Sequence, residues 1–157
     1  MQKITPFLWF NTEAEEAASF YTSIFKNSKI LNITRYSEAA SKAARQPKDS
    51  VMTVSFQIDG QTFTAINGGP VFKFTEAVSF VINCADQEEI DYYWEKLSEG
   101  GDPKAQQCGW LKDKYGLSWQ IVPAAIGEIM SNPETSQKAM TKILQMKKID
   151  IAALQEA

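Results

Sequence analysis

Val51-Met52-Thr53-Val54-Ser55-Phe56-Gln57-Ile58-Asp59-Gly60-Gln61-Thr62-Phe63-Thr64-Ala65-Ile66 is two alternating runs joined by an Asp-Gly pair. A type I′ turn needs positive φ at both central residues, which Asp-Gly tolerates, so the stretch reads as a β-hairpin. The turn also sets the register: Ile58 faces Gln61, Phe56 faces Phe63 and Val54 faces Ala65. One face of the hairpin is then apolar, with Val54, Phe56, Phe63 and Ala65. The other carries Thr53, Ser55, Gln57, Thr62 and Thr64, and is either wet or the wall of a polar pocket.

Upstream, Ile4-Thr5-Pro6-Phe7-Leu8-Trp9-Phe10 is aromatic and nearly all apolar, as in a strand with little contact with water. The period then changes. Thr12-Glu13-Ala14-Glu15 has capping-box spacing, and Ala14, Ala17, Ala18, Tyr21, Ile24 and Phe25 recur at helical intervals, which predicts an amphipathic helix of about 13 residues. Residues 29–36 read as extended. The polar Ala/Ser/Lys stretch from Ser37 to Pro47 reads as a flap over the fold.

Downstream, Asn67-Gly68-Gly69-Pro70 breaks any regular element and reads as a linker. The pattern then restarts. Ala77 to Cys84 predicts a strand, and Asp86-Gln87-Glu88-Glu89 opens a helix with Ile90, Tyr93, Trp94 and Leu97 on its apolar face. Gly100-Gly101 closes it. Gly109–Lys112 and Leu117–Val122 flank a turn at Asp113-Lys114-Tyr115-Gly116, in which Asp113 holds its own turn, and Pro123 ends the strand. Strand, helix and strands therefore occur twice, in residues 3–67 and 77–122. After them, Asn132-Pro133 marks a helix start, and Ala139, Met140, Ile143 and Leu144 form an apolar stripe.

Composition narrows the chemistry. With 157 residues, 44% hydrophobic and 22% charged, the chain fits one globular domain or two fused half-domains, and can bury a core without disulfides. Sixteen basic residues against nineteen acidic ones, with no Lys/Arg cluster, argue against nucleic acid as a partner. There is no histidine, which excludes Ser-His-Asp and Cys-His catalysis. With only Cys84 and Cys108, zinc sites built from several Cys and His ligands are excluded too. The N-terminal residues lack a long apolar run, and no stretch approaches the ~18 residues of a membrane span, so the expectation is a cytoplasmic protein with reduced thiols. The sequon Asn32-Ile33-Thr34 is then a chance match.

Phe7-Leu8-Trp9-Phe10-Asn11 with Phe20-Tyr21, Gln61-Thr62-Phe63-Thr64-Ala65-Ile66-Asn67-Gly68-Gly69-Pro70, and Cys108-Gly109-Trp110-Leu111-Lys112-Asp113-Lys114-Tyr115-Gly116-Leu117-Ser118-Trp119-Gln120-Ile121-Val122-Pro123 together resemble the vicinal oxygen chelate, or glyoxalase/bleomycin-resistance, superfamily. Within it they resemble the PhnB-like group, which carries the label 3-demethylubiquinone-9 3-methyltransferase. The likeness runs on to Leu144-Gln145-Met146-Lys147-Lys148-Ile149-Asp150. It implies an α+β fold of two βαβββ modules curled into a half-open barrel, with C-terminal helices added. Residues 1–70 would be the first module and its linker, 71–123 the second module, and 124–157 the helical extension. Relatives of this kind commonly pair modules across two chains, which implies a homodimer. The apolar residues of the extension, from Ala139 to Leu154, add surface that a partner would cover.

In metal-using relatives the ligands lie on the first and last strands of each module, positions that the resemblance carries to Pro6, Thr64, Ser79 and Gln120. A proline, two hydroxyls and an amide offer neither a carboxylate nor an imidazole, so the expectation is no metal and no cofactor. That argues against isomerase or dioxygenase chemistry of the metal-dependent kind. Gly68-Gly69 and Gly100-Gly101 lie in a linker and at a helix C-terminus, where neither can cradle adenosylmethionine in the usual strand–turn–helix manner. The ligand contacts expected in the concavity are Thr64, Gln120, Ser79, Thr53 and Ser55, with Trp9 and Trp110 as planar surfaces. Cys108 is a pocket thiol or packing. The expected role is binding a small organic ligand in a metal-free cavity. The alternative is an enzyme: a lyase, an isomerase, or methyl transfer to a quinone-like substrate as the group's label implies.

Overall fold

The computed structural model describes residues 2–155, which fall into two units dividing between Lys73 and Phe74. The first contains β1 (Phe7–Phe10), α1 (Ala14–Ile24), β2 (Lys29–Arg35), α2 (Glu38–Ala44), β3 (Val51–Ile58) and β4 (Gln61–Asn67). Its sheet has the order β1-β4-β3-β2, with β1 parallel to β4 and the other pairs antiparallel. The hairpin has the register its turn dictates, Ile58 on Gln61, Phe56 on Phe63 and Val54 on Ala65. Asp59 and Gly60 take φ values of 48° and 80°, as a type I′ turn demands.

Val54, Phe56, Phe63 and Ala65 are buried, together with Ala14, Ala17, Ala18, Tyr21 and Ile24 of α1. The Tyr21 ring stacks 6.2 Å from Phe56, which lies 5.6 Å from Phe63. Burying one such aromatic contributes about 2–3 kcal/mol. The helix start differs from the expected capping box. Ala14 N donates to Asn67 Oδ1 at 2.8 Å, from the far end of β4, while Glu13 accepts from Thr12 N. A buried acceptor held by the sheet does what a local side chain was expected to do. Residues 38–44, expected as a flap, are helical. Ser37 Oγ accepts from Ala40 N at their start, and Arg45 in the left-handed region ends them.

The second unit contains β5 (Ser79–Cys84), α3 (Gln87–Ser98), a 3-10 turn at Pro103–Ala105, β6 (Trp110–Lys112), β7 (Ser118–Pro123), α4 (Ile126–Ser131), α5 (Pro133–Ile143) and α6 (Ile151–Gln155). Its sheet has the order β5-β7-β6, with β5 parallel and β6 antiparallel to β7. Where the first unit has β2, this one has the 3-10 turn and a single bridge between Gln107 and Trp110, because Pro103 and the Asp102 cap on Lys104 N curl the chain. α3 packs on β6 and β7, and Ile90, Leu97, Leu111, Trp119 and Ile121 are buried. Trp94, expected in the core, is only half-buried.

Asp86 caps α3 through Glu89 N at 2.9 Å, and Glu89 reaches back to Ala85 N. Asp113 Oδ1 accepts from Tyr115 N and Leu117 N, and its Oδ2 accepts from the Trp119 indole at 2.9 Å, so the carboxylate secures its turn and a core ring together. Asn132 caps α5 through Glu134 N, with Pro133 in the first turn.

The C-terminal helices pack on their own unit. Ala139, Ile143, Ile149 and Leu154 are buried with Val122, and Cys108 leans on the same cluster. Cys108 N and Gly109 N each donate at 2.8 Å to the carbonyls of Met146 and Lys147. The Gln87 amide grips this segment from both sides, donating to Ile149 O and accepting from Ile151 N. Cover that was expected from a partner thus comes in part from the same chain, and Met140 and Leu144 remain exposed. The fold is α+β, two strand–helix–strand modules with added helices. No described helix is long and apolar enough to cross a membrane.

Candidate functional site

Strand alternation assigns the polar residues of each sheet to the face opposite its helix. In the first unit Ser55 lies beside Thr64, Thr64 beside Phe7, and Thr53 beside both Ile66 and Thr34, whose hydroxyl bonds that of Thr53. Trp9 is on the same face but is engaged. Its indole donates to Gly69 O at 2.9 Å and meets Phe72 edge-on at 4.9 Å. A Cβ on Gly68 would come within 2.1 Å of the Trp9 ring, so the linker glycine is needed for this close approach.

In the second unit Gln120 stands between Val81 and Trp110, and its amide donates to Ser79 Oγ at 2.9 Å. Beside β6 lies a cavity of about 480 Å³ whose walls include Trp110 and Cys108, both expected, and Glu76, Lys104, Lys112 and Ser118, which were not. Thr53, Ser55, Thr64 and Trp9 belong to the first unit, while Ser79 and Gln120 lie on the second sheet outside this lining. One signal in the sequence pointed to the missed residues. Ser118 is two positions before Gln120 and so shares its face, and the turn sets Lys112 opposite Ser118.

Ser118 is 1% exposed, and its hydroxyl has no hydrogen-bond partner among the described residues. Lys112 pairs with the Glu76 carboxylate, which the hydrogen bond from this ammonium holds below the usual carboxylate range. Cys108 is half-buried, with a positive φ of 57° fixed by the tail segment. Cys84 is fully buried. Its thiol is pushed up to about 12 by burial first, and then by Glu89 and Asp86.

The four positions to which the resemblance carries the metal ligands lie in two pairs, one in each unit. Thr64 N donates to Pro6 O at 3.0 Å, and Gln120 bonds Ser79. A proline ring, two hydroxyls and an amide are neutral, and the Gln120 amide is already bonded to the Ser79 hydroxyl, a poor fit for a divalent ion. Among the described residues no group of three or more His, Cys, Asp or Glu side chains is placed to hold a metal. The glycine pairs do not fit a nucleotide cradle either, since Gly68 packs on Trp9 and a Cβ on Gly101 would lie 2.3 Å from Lys112 O.

A search of curated proteins finds no match. Among solved structures, the PhnB protein of Bacillus cereus, which carries the 3-demethylubiquinone-9 3-methyltransferase label, is 39% identical. It has a TM-score of 0.65, with 77% of this chain and 99% of that one covered. A Pseudomonas aeruginosa protein (20% identity, TM-score 0.59, covering 78% and 98%) shares the fold. So does the fosfomycin resistance protein FosX of Listeria monocytogenes, in complex with Mn(II) and sulfate (17% identity, TM-score 0.53, covering 83% and 98%). The sequence profile of the 3-demethylubiquinone-9 3-methyltransferase family matches residues 2–122, and the chain belongs to this PhnB-like family.

Proposed function

We propose that the protein binds a small organic ligand in the cavity beside β6, with no metal ion, as a cytoplasmic homodimer. The observation that carries this reading is a cavity of about 480 Å³, the size of a small-molecule site, lined by Trp110 and by Ser118, whose buried hydroxyl has no partner among the described residues. A buried hydroxyl that has lost water without gaining a partner costs about 1–3 kcal/mol, which a ligand acceptor would recover. The free thiols of Cys84 and Cys108 suit a reducing compartment. Exposed Phe7, Val71 and Phe72 supply apolar surface for pairing of modules between chains.

The reading is tested by thermal unfolding against a panel of small molecules that includes quinones and adenosylmethionine, followed by a search for product. Binding is expected to raise Tm with concentration, by RT ln(1 + [L]/Kd) in stability. A bound compound recovered unchanged supports a binding role; conversion would make the protein an enzyme, and methylation of a quinone-like compound would bear out its family label. A panel with no member that binds would count against the cavity altogether.

A further inference from the structure

The charges around the cavity say which ligand it suits. Two lysines, Lys104 and Lys112, contribute to its lining against one carboxylate, Glu76. Glu76 is already matched by Lys112, which leaves one positive charge over. Glu76 belongs to the irregular segment before β5, and its side chain is 61% exposed against 30% for that of Lys112. Lys112 therefore directs its charge to an exposed, solvent-screened partner that another anion can replace.

Lys112 and Ser118 are direct neighbours across β6 and β7, with their side chains on the same face. An anion that draws the ammonium away from Glu76 would arrive beside Ser118, whose buried hydroxyl has no partner among the described residues. Trp110 lies two residues before Lys112 on the same strand, so it presents its ring to the same face. The wall thus offers, in order along β6, a planar apolar surface and a cation, with a hydroxyl donor alongside.

Resting on the reading of the cavity as a ligand site, we infer that its ligand is a small organic carboxylate. The apolar body of the ligand lies on Trp110, and its carboxylate exchanges for Glu76 on Lys112 and accepts the Ser118 hydroxyl. A single excess positive charge matches a monoanion and leaves the second charge of a phosphate monoester uncompensated. A planar body is favoured because the indole ring gains most from a flat contact.

The experiment is titration calorimetry at low salt with benzoate, 2-naphthoate and indole-3-acetate, each beside its own carboxamide, with amide NMR to locate the site. At least one carboxylate should bind about tenfold or more tightly than its amide, shifting the signals of Trp110, Lys112 and Ser118. Ser118→Ala should weaken the carboxylate about tenfold, the value of a hydrogen bond to a charged group, and Lys112→Met should abolish its preference over the amide. Glu76→Gln should tighten it several-fold, since the competing carboxylate is gone, an outcome that no loss of fold would produce. Amides binding as tightly as carboxylates, or tighter binding absent in Glu76→Gln, would overturn the carboxylate while leaving a ligand cavity. Shifts confined to Thr53, Ser55 and Thr64 would overturn the placement, and no binding by any of the six would overturn both.

Discussion

Asn67 ties three parts of its unit with one side chain and one carbonyl. Its Oδ1 caps α1 through Ala14 N, its Nδ2 donates to Val51 O, and its carbonyl accepts from the Tyr36 hydroxyl. Asn67→Ala should cost about 1–3 kcal/mol in urea unfolding, and Asn67→Asp less, because it keeps the acceptor. The two cysteines make a second contrast. With iodoacetamide on the native protein, Cys108 should react before Cys84, which is fully buried. The raised Cys84 value means that the folded state keeps its proton where the unfolded state would lose it. The associated stability is full below about pH 9 and falls as the pH rises toward about 12, and Cys84→Ala should flatten that alkaline loss in a Tm-against-pH series. At this scale the sequence was legible where chemistry is local. Asp59-Gly60 and Asp113 act on neighbours a few residues away, whereas Asn67 serves a helix start 53 residues earlier. The isolation of the Ser118 hydroxyl depends on everything packed around it, which no spacing encodes.

Among the elements, α1 and α3 look alike in sequence and are capped by different means. The Asp86 cap forms because its carboxylate stays beside Glu89 N; the Thr12 box yields to a buried amide that the strand brings in. The absence of a strand between α3 and β6 was legible in part, since Asp102-Pro103-Lys104-Ala105-Gln106-Gln107 shows no alternation and proline favours the curled start that forms. The start of α5 could be read from Asn132-Pro133, but its resting place could not. That depends on Gln87, a half-buried polar residue at the edge of the apolar face of α3, whose amide bonds both Ile149 and Ile151. Gln87→Ala should release the last helix while sparing the sheet. Hydrogen exchange should then accelerate at Leu154 and its neighbours with a loss of about 1–2 kcal/mol, and β7 should stay protected.

For the whole molecule, the neutral groups at Pro6, Thr64, Ser79 and Gln120 predict that purified protein carries no stoichiometric Zn, Ni, Fe or Mn by elemental analysis. One tightly held ion per chain would refute this and direct attention to carboxylates such as Glu76 or Asp102. Light scattering should report about twice the chain mass of 17.6 kDa. Cutting the chain after Pro123 is a poor probe of the interface, because it would strip cover from Val122 inside the second unit. The surface variants Met140→Glu and Leu144→Lys leave that core intact. They should halve the measured mass if the exposed stripe of α5 lies in the interface, and leave it unchanged if pairing uses the modules alone. The repeated module was legible at this scale because periodicity survives loss of residue identity. The burial of four tail residues on their own unit was not, because an apolar stripe shows that cover is needed without showing who supplies it.

The indoles of Trp119 and Trp110 sit on adjoining strands in contrasting surroundings, one sealed in the core with its N–H on a carboxylate, the other in the wall of an open cavity. The protein therefore carries two optical reporters that need no label. Emission from Trp119 should be blue-shifted, shielded from acrylamide and lost only on unfolding, while Trp110 should be quenched freely until something occupies the space beside it. With Trp9 and Trp94 replaced by phenylalanine, a single cuvette could follow occupancy in the quenchable fraction and integrity of the fold in the rest.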